Sequence, residues 1–127
     1  MRKRIIVIIA VALLLGSMFV FVRSRYIPVS ISDTILSETV SPDGKNVATV
    51  FERDCGATTD FSRILVLRKS GTRFNPDRSR VFVVAGRPRV EANWSETSKL
   101  TVRCKTNKIF KSDEKWQNVR IEYLTSP

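Results

Sequence analysis

Residues 5–22 contain no charged side chain, and this run of 18 residues constrains the chain more than any other feature. Residues 2–4 are all basic, and Arg23 and Arg25 follow the run. A helix rises about 1.5 Å per residue, so the run would be about 27 Å long, close to the roughly 30 Å hydrocarbon core of a bilayer. Because more cations precede the run than follow it, the positive-inside rule predicts a cytoplasmic N-terminus. We therefore predict a membrane anchor at residues 1–25 and an extracytoplasmic domain at residues 26–127.

A cleavable signal peptide is the alternative to a retained anchor, since it shares the charged start and the apolar run. Residues 22–24 form a weak cleavage site, although the apolar run is longer than the 7 to 15 residues typical of signal peptides. Cleavage there would make the domain a secreted protein.

The chain after residue 25 shows the period-two alternation of β-strands and no sustained helical period. Two runs, at residues 64–67 and 81–84, are apolar throughout, which is typical of central strands covered on both faces or of strands that meet a partner. Residues 107–118 form a polar connection that could hold one helical turn around residues 112–115. The sequence therefore predicts an all-β fold, with one small antiparallel sheet or sandwich of about six to seven strands. The predicted strands are at residues 35–40, 46–53, 63–69, 81–84, 90–94, 100–104 and 119–123.

The segment SPDGK at residues 41–45 predicts a tight turn, because Pro42 presets φ and Gly44 allows a positive φ. With residues 47–50 it resembles the strand-turn-strand repeat of β-propeller blades, but 102 residues are too few for the four or more blades of a propeller. Combined with CGATT at residues 55–59 and the later strands, it is similar to a family of small bacterial exported or membrane-anchored proteins, classed as a domain of unknown function. That resemblance implies a bacterial exported or membrane-anchored protein and no activity. Together with the predicted anchor and its orientation, it leads us to expect a single-pass protein of the bacterial inner membrane with a periplasmic domain.

Cys55 and Cys104 both lie outside the predicted anchor, in what would be an oxidising compartment. We expect a structural disulfide between them, which for a sequence separation of 49 residues would stabilise the domain by roughly 4 kcal/mol. Free thiols are the main alternative. A metal or redox site is not expected, because the pair lacks CxxC spacing and the chain has no His.

The net charge of the whole chain is +10. Five of the 22 basic residues flank the apolar run, which leaves 17 against all 12 acids for residues 26–127. This excess suits anionic lipid, an envelope polymer or an acidic protein, and nucleic acid is not an expected partner across the membrane. The basic residues are densest between positions 73 and 89. We take as candidate binding residues Gly56, Thr58 and Thr59 in one loop, the cluster members Arg78, Arg80, Arg87 and Arg89, and Trp116.

No nucleophile with a base, metal-ligand set or phosphate loop occurs at usable spacing, so neither enzymatic activity nor a cofactor is expected. Three hypotheses remain. The first is a binding module with a protein partner in the envelope, one version being an immunity-type protein that blocks a toxin. The second is a structural protein that binds anionic polymer or lipid through the basic region. The third is an enzyme that uses Glu52, Asp54 or Asp60. Neither the partner nor the oligomeric state follows from the sequence.

Overall fold

The computed structural model describes residues 2–25, 31–56 and 59–127. One helix precedes nine strands in these residues. The elements are α1 (Arg2–Arg25), β1 (Ser32–Val40), β2 (Asn46–Asp54), β3 (Ser62–Lys69), β4 (Arg80–Ala85), β5 (Val90–Glu96), β6 (Lys99–Lys105), β7 (Ile109–Ser112), β8 (Lys115–Trp116) and β9 (Val119–Ser126).

Helix α1 covers the whole uncharged run and both flanking basic segments. Its large apolar side chains between Ile5 and Leu15 are 50% to 69% exposed. Within the described residues, no helix combines the length and the apolar character that crossing a membrane requires. The predicted membrane span thus has no support from the structure and stays a prediction.

The strands form two sheets, one in the order β1-β2-β3-β4-β7 and the other in the order β5-β6-β9-β8. All seven predicted strands are present. The all-β class is confirmed, but two details of the prediction are wrong. Strands β6 and β9 pair in parallel, so the second sheet is mixed. The polar connection at residues 107–118 contains β7 and β8 instead of a helical turn, because its backbone completes an edge of each sheet.

The turn at residues 41–45 joins β1 to β2 as the sequence predicts. Gly44 has φ 74°, and its N–H donates to the Ser41 carbonyl over 2.8 Å. The buried Ser41 hydroxyl accepts from the Asn46 N–H and donates to the Asp43 carboxylate. Asp43 also accepts from the Lys45 N–H. The turn therefore satisfies its own polar groups where the chain reverses between two paired strands.

The two sheets pack face to face around one apolar core. Its side chains come from β2, β3 and β4 on one side and from β5, β6 and β9 on the other, as alternation along each strand requires. The five-stranded sheet also buries Phe51, Ile64 and Val66 on its outer face, where Phe74 of the following loop covers them. All four positions from Ile64 to Leu67 are at most 2% exposed. The prediction that this run is covered on both faces is confirmed.

Tyr123 on β9 connects the two sheets. Its hydroxyl lies 3.1 Å from the Val81 carbonyl on β4 and 2.5 Å from the Asp113 carbonyl between β7 and β8. Its ring lies 5.2 Å from the Phe82 ring. Burial raises the pKa of the Tyr123 phenol, so the hydroxyl keeps its proton and donates. The connection from β7 to β8 is thereby fixed against the core.

The predicted disulfide is not formed in the structure, where Cys55 and Cys104 are both free thiols. Cys104 lies on the inward face of β6, within the core, as its alternation predicts. Cys55 follows the end of β2 in the other sheet and is half-buried. Packing of Cys104 against apolar neighbours accounts for its burial without a sulfur partner.

Candidate functional site

A groove of about 490 Å³ lies between the loop at residues 70–79 and the turn that joins β8 to β9. The loop follows β3 of the first sheet, and β8 belongs to the second, so the groove exists only when the sheets are packed together. Its volume is in the range typical of ligand sites. The side chains that line it are those of Val66, Leu67, Arg68, Lys69, Thr72, Arg73, Phe74, Asn75, Pro76, Arg78, Ser79, Trp116 and Gln117.

Four of these lining residues are basic and none is acidic. Arg68 donates to Glu38 over 2.9 Å and to the Thr72 carbonyl over 2.9 Å, and its Nε is buried without a hydrogen-bond partner. Lys69 Nζ lies 5.8 Å from the centroid of the Trp116 ring. Such a cation–π contact holds the ammonium beside the groove without neutralising it.

Arg73 and Arg78 form no ion pair with any residue that the structure describes. Both side chains are exposed. The one acid in their loop, Asp77, is instead held by Arg53 and Arg80. The groove therefore keeps three cations without a carboxylate partner.

Local hydrogen bonds and one aromatic contact shape the loop. Asn75 Oδ1 accepts from the Asp77 N–H over 2.9 Å, and the Asn75 carbonyl accepts from the Arg78 N–H over 3.3 Å. Phe74 meets the buried Phe51 edge to face, with 5.5 Å between ring centroids. An Asx turn on an aromatic anchor places Arg73 and Arg78 on either side of a fixed bend.

Two residues in the lining have a positive φ although neither is Gly: Ser79 at 57° and Gln117 at 51°. This conformation is disfavoured for residues with a Cβ. Ser79 directly precedes β4, close to the register shift between β3 and β4, and its carbonyl accepts from the Leu67 N–H. Gln117 takes the first position of the two-residue turn between β8 and β9, where Gly is usual in a type II′ turn. Both strained residues of the described chain thus lie at this groove.

The structure divides the predicted basic cluster. Arg78 lines the groove together with Trp116, which was also a candidate. Arg80 pairs with Asp77, Arg87 lies 3.3 Å from Glu52, and Arg89 lies 2.8 Å from Glu91. Sequence proximity had grouped cations that the fold places apart.

The predicted functional loop at residues 55–60 lies away from the groove. Gly56 has φ 106°, and its N–H donates to the Asp54 carboxylate over 2.9 Å. Thr59 is exposed, and its N–H donates to the Gly56 carbonyl over 3.3 Å. Thr58 lies outside the described residues. The hydrogen bonds described here thus join groups within residues 54–59 and leave the groove residues untouched.

The three acids considered for catalysis are engaged in ordinary contacts. Glu52 lies 3.2 Å from Arg63 in an interstrand ion pair, and it also pairs with Arg87. The Asp54 carboxylate accepts from the Gly56 N–H, and the Asp60 carboxylate accepts from the adjacent Phe61 N–H. Across the described residues, no group of three or more Cys, Asp or Glu side chains could hold a metal ion.

A larger depression of about 1150 Å³ lies beside β9 and carries balanced charge. Lys99 and Glu122 pair across it over 3.2 Å. Its three acids and three cations give no preference for a charged ligand. The basic groove is therefore the more selective site.

Sequence reasoning missed Arg68, Lys69 and the two strained positions. A signal for the first pair was present, because they follow the buried run at residues 64–67 and come directly before the long loop. The positive φ of Gln117 gives no signal in the sequence, because glutamine does not favour a positive φ.

Comparisons with known proteins add no relative: no protein-family model, curated protein or solved structure matches this chain.

Proposed function

We propose that this protein is a membrane-tethered binding module, without catalytic activity, that holds an anionic component of the bacterial cell envelope in the basic groove. The observation that carries the proposal is the groove itself, in which Lys69, Arg73 and Arg78 have no carboxylate partner. Cations that serve only solubility are usually interspersed with acids, as they are around β9 in this domain. A groove that gathers cations and excludes acids attracts an anion and speeds its approach.

The tether rests on the N-terminal segment. Its uncharged run is long enough in sequence to cross a bilayer, and its apolar side chains from Ile5 to Leu15 are at least half exposed in helix α1. An apolar surface of this kind requires cover by lipid or by another protein. The proposed arrangement has an N-terminus in the cytoplasm and a β-domain in the periplasm.

The proposal is tested with the full-length protein in a neutral detergent, immobilised and exposed to fractionated envelope extract. We expect retention of an anionic fraction by the natural protein and its loss in the double variant R73Q/R78Q. The matched control is K105Q/K108Q, which removes two exposed cations that do not line the groove. Equal retention by all three proteins would overturn the role of the groove.

A second candidate function, recognition of a protein partner, is favoured by strand β1. This strand is an edge of the first sheet, and Ile35, Leu36 and Val40 are 45% to 54% exposed on it. An exposed edge with apolar side chains can accept a partner strand by β-augmentation. An immunity-type protein would use such an edge to engage a toxin.

The two candidates are separated by the variant I35K/V40K, which places charge on the edge without touching the groove. Loss of a specific protein from an envelope pull-down in this variant, with R73Q/R78Q unaffected, would favour the protein partner. The opposite pattern would favour the anionic ligand.

A further inference from the structure

We propose that the ligand of the basic groove is a phosphate group, presented by a soluble phosphate ester or by a phospholipid headgroup. This inference rests on the proposed function, because it names the chemical class of the anion that the same groove would hold.

Charge balance favours phosphate over a single carboxylate. Lys69, Arg73 and Arg78 are uncompensated, and Arg68 shares its charge with Glu38. A carboxylate brings one negative charge, whereas a phosphomonoester carries about −1.5 to −2 at neutral pH and three acceptor oxygens. The dianion therefore neutralises the groove more completely and uses more of its donors.

The donors also suit phosphate in kind. Arg73 and Arg78 offer two planar guanidinium forks from opposite sides of the loop bend, and such forks bind phosphate oxygens in pairs. Lys69 adds a point charge at the start of the loop. Among the neutral lining residues, Asn75 uses its Oδ1 on the Asp77 N–H, which leaves its amide N–H groups to donate.

Strain at the groove is a separate observation that points to the same place. Ser79 and Gln117 hold disfavoured backbone conformations on opposite walls. Such outliers are enriched where a fold positions groups for a ligand. Trp116 is adjacent to Gln117, and its ring offers an apolar wall to the part of the ligand that carries the phosphate. Its fluorescence can also report binding.

The test titrates inorganic pyrophosphate into the full-length protein in neutral detergent, with calorimetry and tryptophan fluorescence as readouts and sodium acetate as the carboxylate control. We expect pyrophosphate to bind at least tenfold more tightly than acetate. R73Q/R78Q should weaken pyrophosphate binding at least tenfold, and K105Q/K108Q should leave it within twofold. W116F should remove the fluorescence change while calorimetry still detects binding, because Trp94 lies on another strand.

A second arm separates the two sources of phosphate. The protein is placed in phosphatidylcholine nanodiscs with and without phosphatidic acid, and Trp116 fluorescence is followed. A change with phosphatidic acid that pyrophosphate reverses supports a headgroup as the ligand. No change, with pyrophosphate still bound, supports a soluble ester.

The inference is overturned if pyrophosphate does not bind, if acetate binds equally well, or if both double variants weaken binding equally. Circular dichroism of each variant shows that the fold is retained. If pyrophosphate fails while envelope retention still depends on Arg73 and Arg78, only the phosphate assignment falls. If retention is also independent of them, the proposed function falls with it.

Discussion

Replacing Tyr123 with Phe removes the hydroxyl that links β9 to β4 and to the connection between β7 and β8, and it leaves the ring in place. That hydroxyl lies within hydrogen-bond distance of the carbonyls of Val81 and Asp113, and its one proton serves both. A net hydrogen bond contributes about 0.5–1.5 kcal/mol, and a carbonyl left without its donor in a partly buried site adds to the loss. We therefore expect Y123F to lower the free energy of unfolding by about 1–2 kcal/mol.

The measurement is urea unfolding of the full-length protein in neutral detergent, followed by circular dichroism. The ring contact with Phe82 survives in Y123F, so the dependence of unfolding free energy on urea should not change. Y123A also removes the ring and should cost about 3–5 kcal/mol, as other aromatic truncations in cores do.

The same variant has a local consequence at the groove. Asp113 begins the two-residue connection from β7 to β8, and β8 carries Trp116. Loss of the Tyr123 bond should therefore free this connection and shift Trp116 emission to longer wavelength. A loss of stability below about 0.5 kcal/mol, with unchanged emission, would refute the assignment of Tyr123 as the link between the sheets.

Three further predictions follow from backbone strain, charge and burial. Q117G relieves a positive φ and should stabilise the protein by up to about 1 kcal/mol in urea unfolding; a loss of stability would show that the turn has another conformation. Arg53 donates to Asp33 and holds the pKa of that carboxyl below its ordinary value of 3.8. The ion pair therefore stabilises the fold fully above pH 3.8, and this stabilisation is lost as the pH falls through the lowered pKa. D33N should flatten the acid side of the stability profile, and an unchanged profile would contradict the ion pair. Burial raises the pKa of the Cys104 thiol, so Cys55 should react first with a thiol reagent and Cys104 only on unfolding. Titration of fewer than two thiols in the unfolded, unreduced protein would show that a disulfide has formed.

Much of this fold could be predicted from local sequence, because burial of alternate side chains leaves a pattern within each strand. The turn at residues 41–45 and the doubly covered run at residues 64–67 are examples. Strands β7 and β8 leave no such pattern. Phe110 is 71% exposed on β7, so its apolar character does not report burial, and β8 has only two residues.

The parallel pairing of β6 with β9 could not be predicted either, because pairing joins segments distant in sequence. The groove could not be predicted for the same reason, because it joins residues that are distant in sequence. Arg78 and Trp116 were both candidates, but nothing local indicated that they share a groove with Lys69. The ion pair between Arg87 and Glu52 is likewise a property of the folded sheet, whereas Arg89 pairs with Glu91, only two residues away in the sequence.

The position of β9 has a consequence for how the domain is made. It lies between β6 and β8, inside its sheet, although it comes after both in the chain. Val119 and Ile121, which fill part of the core, therefore leave the ribosome after the core residues of β2 to β6. Until they emerge, β6 has one neighbour and an apolar flank open to water. This sheet therefore cannot fold strand by strand as the chain is made. The nascent chain must wait, or be shielded, until β9 has been synthesised and inserts between β6 and β8.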